Sequence, residues 1–239
     1  MRRLASAGAR AVVSVHLSSE VSGTFESAEL AGKQAPIPVH VVDSRQLGMA
    51  TGFAVQSAAE ALDHGGGAEE AADAARARAA AMTALFYVDT LEHLRRGGRV
   101  GAAAALLGSA LAVKPLLKVE DGRIVALEKV RTSAKALHRL QELAVAAAGD
   151  EEVDVAVSHL ANADGAEALA SQLRAATDPA GRGGGHTGWR CDRSACGARD
   201  VGGCGGSPPR PYRLTSPALH KATAPPSCPQ PFSSGCLPF

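Results

Sequence analysis

Along residues 1–178, short valine-rich runs alternate with longer stretches whose apolar positions recur at helical spacing. The runs at 11–15 and 39–42 have the length and composition of buried strands, and the stretches at 24–34, 48–62 and 68–82 read as helices. Pro36 and Pro38 bracket a turn, and His64-Gly-Gly-Gly67 separates the last two helices. Glu69, Glu70 and Asp73 open the 68–82 helix and Arg76 and Arg78 follow, an order that suits the helix dipole. Strand, helix, strand, helix, helix describes part of an α/β layer structure with a parallel sheet.

The pattern changes after residue 82. A strand at 85–88 leads to a short helix at 89–96, broken by Gly97-Gly98-Arg99, and a small helix at 102–107. The apolar stretch 112–119 contains Lys114-Pro115, and the proline predicts an edge or bulged strand. Glu120-Asp-Gly-Arg123 is a hairpin signal, with 124–130 pairing back. A long helix at 132–148, with Thr132 as its cap, a strand at 153–158 and a helix at 165–176 complete the body. The expected fold class is therefore α/β: residues 1–82 form the remainder of an N-terminal α/β domain with a partial parallel sheet, and 83–178 a second, incomplete α+β domain. Residues 1–10 offer no full strand or helix, so the sheet is expected to have had neighbours ahead of 11–15.

One turn between these elements carries chemistry. His16-Leu-Ser-Ser-Glu-Val-Ser-Gly-Thr-Phe25 joins a strand to a helix and places four hydroxyls (Ser18, Ser19, Ser22, Thr24) where a helix exposes unpaired N–H groups. Such a turn can hold a carboxylate or phosphate. Serine and threonine are also ordinary helix caps, and both readings stand.

Composition divides the chain near Asp178-Pro179. Hydrophobic residues make up 46% and aromatic ones 3%, so the core must be built from Ala, Val and Leu. All five cysteines (Cys191, Cys196, Cys204, Cys228, Cys236), ten of thirteen prolines and Trp189 lie beyond the break. A mildly acidic body thus carries a basic, Gly/Pro/Cys-rich tail at 179–239 that shows no strand or helix period. The tail is expected to be disordered and to be an unrelated or out-of-frame extension. Its cysteine spacings fit neither a zinc site nor a closed disulfide set. The net charge of +1 excludes a nucleic-acid-coating protein, and no apolar run has the length of a membrane span or secretory signal, so a cytoplasmic protein is expected.

The hydroxyl turn and seven further motifs together resemble the DegV family of bacterial fatty-acid-binding proteins. His16–Phe25 is similar to the family's His-x-Ser-Ser-x-Leu-Ser-Gly-Thr-Tyr signature. Val42-Asp43-Ser44 with Leu47-Gly-Met49, Val88-Asp-Thr-Leu91, Leu94-Arg-Arg-Gly-Gly-Arg99 and Leu111-Ala-Val-Lys-Pro115 follow in the family's order. So do Asp121-Gly122, Val130-Arg-Thr132 and Ser158-His159. The family's opening strand, ending in Thr-Asp-Ser, has no counterpart, nor does its closing Gly- and His-containing region, so the chain reads as the middle of such a protein, a fragment.

The resemblance implies a carrier without cofactor. A long-chain fatty acid would lie in an apolar tunnel between two domains, and a separate fatty acid kinase subunit would phosphorylate its carboxylate to an acyl-phosphate. Ser22 matches the carboxylate-binding serine, with Ser19 and Thr24 in support. Arg99 and Arg131 match arginines near the head group and the kinase-facing surface.

Bland readings accompany each residue. Arg99 could instead pair with Glu92 or Asp89, and Arg131 could be a solvated charge. Lys114 could snorkel to the surface or line the head-group site. His16, His138 and His159 read as structural, and Leu106, Leu107, Leu111, Val113 and Leu116 as tunnel wall or plain core. No Ser-His-Asp set, metal cluster or Walker loop is present in the sequence, which favours a carrier over the alternatives of a phosphoryl-transfer enzyme using the Ser-rich turn or a fragment without activity.

Overall fold

The computed structural model describes residues 1–106, 113–149, 153–177 and 189–190, and the remainder of the expected tail lies outside them. A one-turn helix α1 (Arg2–Ser6) precedes strand β1 (Val12–His16), where the sequence shows no periodic signal. Helix α2 (Thr24–Lys33) leads to strand β2 (Val39–Asp43), which pairs with β1 in parallel, from Val12 opposite Val39 to His16 opposite Asp43.

Helices α3 (Met49–Asp63) and α4 (Ala68–Ala80) cover one face of this two-stranded sheet, and α2 covers the other. The alternation of a strand explains the split. Val42, with Val13 and Val15, packs into the α3–α4 side, whereas Val39 and Val41 meet Gly32 of α2. Because Ala54, Ala58, Ala71, Ala72, Ala75 and Ala79 are all buried, the α3–α4 seam is almost purely alanine. Short side chains let the two helix backbones approach closely, which is how a chain so poor in aromatics fills this layer. Phe53 of α3 is the large exception, buried under the Arg78 guanidinium at 5.4 Å from its ring centre.

The second layer begins with β3 (Leu85–Tyr87) and a short helix α5 (Glu92–Arg96), followed by a 3-10 turn at Gly101–Leu106. Strands β4 (Lys114–Glu120) and β5 (Arg123–Val130) form a hairpin, and β4 lies centrally in an antiparallel sheet of order β3-β4-β5. Pro115 is therefore not on an edge strand, but the register does slip between Leu116 and Leu117. Pro115 sits one residue beyond the last β3 rung: its carbonyl still accepts from the Val88 amide at 3.3 Å, and its missing N–H leaves that last pair without a return bond, where β3 ends. The hairpin turn has Asp121 at φ +50° and Gly122 at φ +80°, the paired positive values of a type I′ turn.

Helix α6 (Ser133–Ala148) starts at Thr132, whose hydroxyl accepts from the Lys135 amide at 3.2 Å. A two-residue strand β6 (Val155–Ala156) and helix α7 (Ala163–Thr177) follow. Leu169, Ala170 and Leu173 of α7 pack against Leu137, Leu140 and Ala144 of α6. Trp189–Arg190 forms a two-residue strand β7 parallel to β6, inside the segment expected to contain no strand. Two backbone rungs need no side-chain period, so the sequence could not announce them.

The observed architecture is a mixed α/β fold with a parallel β1–β2 sheet and an antiparallel β3–β4–β5 sheet, beside the short parallel β6–β7 ladder. Among the described residues no helix is long and apolar enough to cross a membrane. The alanine seam gives a direct test of its packing. Ala75 of α4 is fully buried in the cluster that α4 forms with α3 and the sheet, so Ala75→Leu is expected to lower stability by about 1–3 kcal/mol through overpacking. Urea unfolding should show an earlier midpoint at unchanged slope; a midpoint equal to the parent's would mean the seam has spare room.

Candidate functional site

The hydroxyl turn between β1 and α2 sits where the two sheets meet, and the β4–β5 hairpin tip is bolted to it. Ser18 is fully buried, and its hydroxyl donates to the Gly122 carbonyl at 2.7 Å. Arg123 Nε donates to Glu20 Oε2 at 2.8 Å, and Arg45 reaches the Asp121 carbonyl. Arg99 Nε donates to the Val21 carbonyl at 3.0 Å and its Nη1 to the Gly97 carbonyl at 2.6 Å. Apolar contacts act in the same direction: Val21 and Leu47, from the two loops at the C-terminal end of the parallel sheet, pack against the cluster of Leu91, Ala103, Leu117 and Ile124.

The next loop, after β2, orients the hydroxyls. Asp43 accepts from the Ser19 hydroxyl at 2.6 Å, from the Ser19 amide at 3.2 Å and from the Arg45 amide at 2.8 Å. Gln46 is buried and ties this loop to the end of α4, its Nε2 donating to the carbonyls of Ala79 and Met82 at 3.2 Å each. Ser44 and Thr51 share a hydroxyl–hydroxyl bond at 3.0 Å.

None of the four hydroxyls caps α2. Gly23 is the N-cap residue and no side chain bonds the first-turn amides. The first intrahelical bond runs from the Ser27 amide to the Gly23 carbonyl, so the N–H groups of Thr24, Phe25 and Glu26 precede it. Ser22, half-buried, donates its hydroxyl to Thr24 Oγ1 at 3.4 Å on the open side of the turn. The structure thus gathers Ser22, Thr24, an uncapped helix start and the Arg99 guanidinium, with Ser19 one layer behind on Asp43.

Arg131 stands apart. It follows β5 at the end opposite the hairpin tip, eight residues beyond Arg123, or roughly 25 Å along an extended strand. It is exposed and makes no ion pair among the described residues. Neither carboxylate offered to Arg99 takes it: Glu92 holds Arg95 and Arg96, and Asp89 holds Lys114 at 2.7 Å. His16 is satisfied by Ser14 at 2.8 Å, His138 lies 3.4 Å from Glu142, and His159 accepts from the Asn162 amide. Leu116 is fully buried and Val113 half-buried; Leu107, Leu111 and the side chain of Leu106 fall outside the described residues. A cavity of about 530 Å³ lies elsewhere, lined by Arg2, Ala5, Ser6, Gln34 and Pro36. No cluster of potential metal ligands occurs among the described residues.

Gln46 is a part of the site that residue type alone did not single out, and Ser18, one of the four hydroxyls named from the sequence, is a support rather than a cap; the partners of both side chains are backbone carbonyls distant in sequence. The motif Asp121-Gly122 did mark the hairpin tip.

Comparison with known proteins adds the following. Residues 1–182 match the family described as an uncharacterised protein, DegV family. A DegV domain-containing protein of Streptomyces coelicolor is 57% identical over 173 residues, covering 72% of this chain and 62% of that protein. The chain therefore spans about three-fifths of the length of this relative. Among solved structures, a DegV family protein from Thermus thermophilus, described for fatty acid binding, is 32% identical with a TM-score of 0.64 over 73% of this chain and 62% of that one. DegV from Bacillus subtilis, described as a fatty acid binding protein, is 35% identical with a TM-score of 0.64 over 73% and 62%.

The Lys114–Asp89 pair beside this layer yields a pH prediction. A hydrogen bond from Lys114 is the largest influence and outweighs desolvation, which pushes the other way; with the Lys114 charge and a bond from Ser133 it holds the Asp89 carboxyl below the usual aspartate range. A carboxyl depressed in the folded state stabilises above its unfolded pKa, and that contribution is lost as pH falls through the folded value. Carboxyl-carbon NMR should place Asp89 below an ordinary aspartate, and Lys114→Met should move it back up. An unmoved titration in the variant would show that Lys114 is not the cause.

Proposed function

The chain belongs to the DegV family, and from that premise we propose that it binds a long-chain fatty acid whose carboxylate is taken by the Ser22 hydroxyl at the start of α2. The observation that carries this reading is the pairing of a free-side hydroxyl, Ser22, with a helix N-terminus that no side chain caps. A carboxylate brought out of water needs charge-assisted hydrogen bonds, or it takes up a proton instead. The hydroxyls of Ser22 and Thr24 are 3.4 Å apart, a weak bond readily exchanged for stronger ones to an anion. First-turn amides and the helix dipole favour negative charge at the same place. Arg99, held to the neighbouring Val21 carbonyl, adds a cation that no carboxylate neutralises among the described residues.

In this reading the acyl chain lies between residues 1–82 and 83–178, and the protein is a cytoplasmic carrier rather than a catalyst. A separate fatty acid kinase subunit receives the carboxylate for acyl-phosphate formation, and the exposed Arg131 faces that subunit. The descriptions of the Thermus thermophilus and Bacillus subtilis proteins as fatty acid binding support the ligand class.

Mass spectrometry of lipid extracted from the purified full chain should find a long-chain fatty acid at near one per protein. Ser22→Ala should weaken oleate binding by about tenfold to a hundredfold, the worth of a hydrogen bond to a charged group. A protein free of acyl species that binds oleate equally well with and without the Ser22 hydroxyl would remove the proposal.

A further inference from the structure

The amides of Ser22 and Val21 both donate to the Ser18 carbonyl, at 3.1 and 3.2 Å, so the place of the Ser22 hydroxyl is inherited from Ser18. Ser18 is fully buried and each of its polar groups has a partner. Its amide donates to the Gln46 carbonyl at 2.9 Å, and its hydroxyl donates to the Gly122 carbonyl at 2.7 Å while accepting from the Glu20 amide at 3.2 Å. Gly122 lies 104 residues away at the hairpin tip, and a Cβ added there would stand 2.5 Å from Ser18 Oγ.

We propose that Ser18 is a positioning residue: through its buried bond to the β4–β5 hairpin it holds the 18–22 turn in the shape that aims Ser22 at an acyl carboxylate. The ligand half of this proposal rests on the fatty-acid reading above. The hairpin thereby becomes a working part of the head-group site although none of its residues touches the carboxylate. Alanine at 18 leaves the Gly122 carbonyl and the Glu20 amide without their shared partner. Threonine keeps the donor but forces a methyl into a fully buried position. The exposed Glu20–Arg123 pair ties the same two segments from outside.

The test uses the full chain with Ser18→Ala, Ser22→Ala and the double variant. Amide hydrogen exchange needs no ligand: Ser18→Ala should speed exchange at Val21 and Ser22 by at least about tenfold, with α3 and α4 unaffected. Oleate displacement of a fluorescent fatty acid should show Ser18→Ala weaker by roughly five- to twentyfold, and no further loss when Ser18→Ala is added to Ser22→Ala, because the first residue acts through the second. Unchanged exchange, or losses that simply add in the double variant, overturns the proposal. If Ser22→Ala alone binds oleate normally, the carboxylate reading falls and the aiming role falls with it, while the exchange rates still decide whether Ser18 holds the turn. Should Ser18→Ala fail to fold, Arg123→Ala loosens the same tie from the surface. It is expected to give about two- to threefold weaker binding and faster exchange at Val21 and Ser22, and no change in either also overturns the proposal.

Discussion

A single buried hydroxyl fixes the geometry on which the candidate site depends. Ser18 has no access to water, so its donor and acceptor capacity must be met inside the protein, and an unmet group there costs about 1–3 kcal/mol. That requirement selects the hairpin tip as neighbour. The tip can approach only because residue 122 is glycine: the backbone is at φ +80°, which side chains rarely adopt, and no room exists for a Cβ beside Ser18 Oγ. Turn chemistry in the second layer thus decides where the first layer can present its hydroxyls. Val21 and Leu47 reinforce the contact from the apolar side, seated in the same cluster as Leu117 and Ile124.

Much of the scaffold was legible in the sequence because its elements repeat their own signals. Valine runs bounded by proline and hydroxyl turns became β1 and β2 within one residue of the expected spans, and the alanine-spaced stretches became α2, α3 and α4. The Glu120-Asp-Gly-Arg123 turn was readable because two positive φ angles leave few residue choices. Strand β6 was shorter than its apolar run: only Val155 and Ala156 join the ladder, although Val157 beyond them is buried in the same α6–α7 core. Pro115 in a central strand escaped the usual rule because β3 ends opposite it: its carbonyl takes the last bond, from the Val88 amide, and its missing N–H interrupts no further pairing.

The site was only half legible, for a different reason. Four hydroxyls in seven residues advertise polar chemistry, but residue type does not say which one is buried. Ser18 and Ser22 look alike as letters; a carbonyl 104 positions away separates their roles. Arg99 likewise had two carboxylates in reach by sequence, and took the Val21 and Gly97 carbonyls instead. Backbone acceptors carry no sequence label, so contacts to them remain invisible until the chain is folded.

Electrostatics then distinguishes the two sides of the turn. Arg45, Arg99 and Arg123 surround it, yet only Arg123 meets a carboxylate, that of Glu20. Arg45 and Arg99 spend hydrogen bonds on carbonyls and keep their charge uncompensated by any ion pair among the described residues. Asp43, the nearest acid on the parallel sheet, is turned inward to Ser19 and the Arg45 amide. The turn is therefore hydrogen-bonded on its buried side, and positive with a loosely engaged hydroxyl on its open side. An anion arriving there need not displace a cap, break a strong bond or reorder the loop, so most of its interaction energy is retained as affinity.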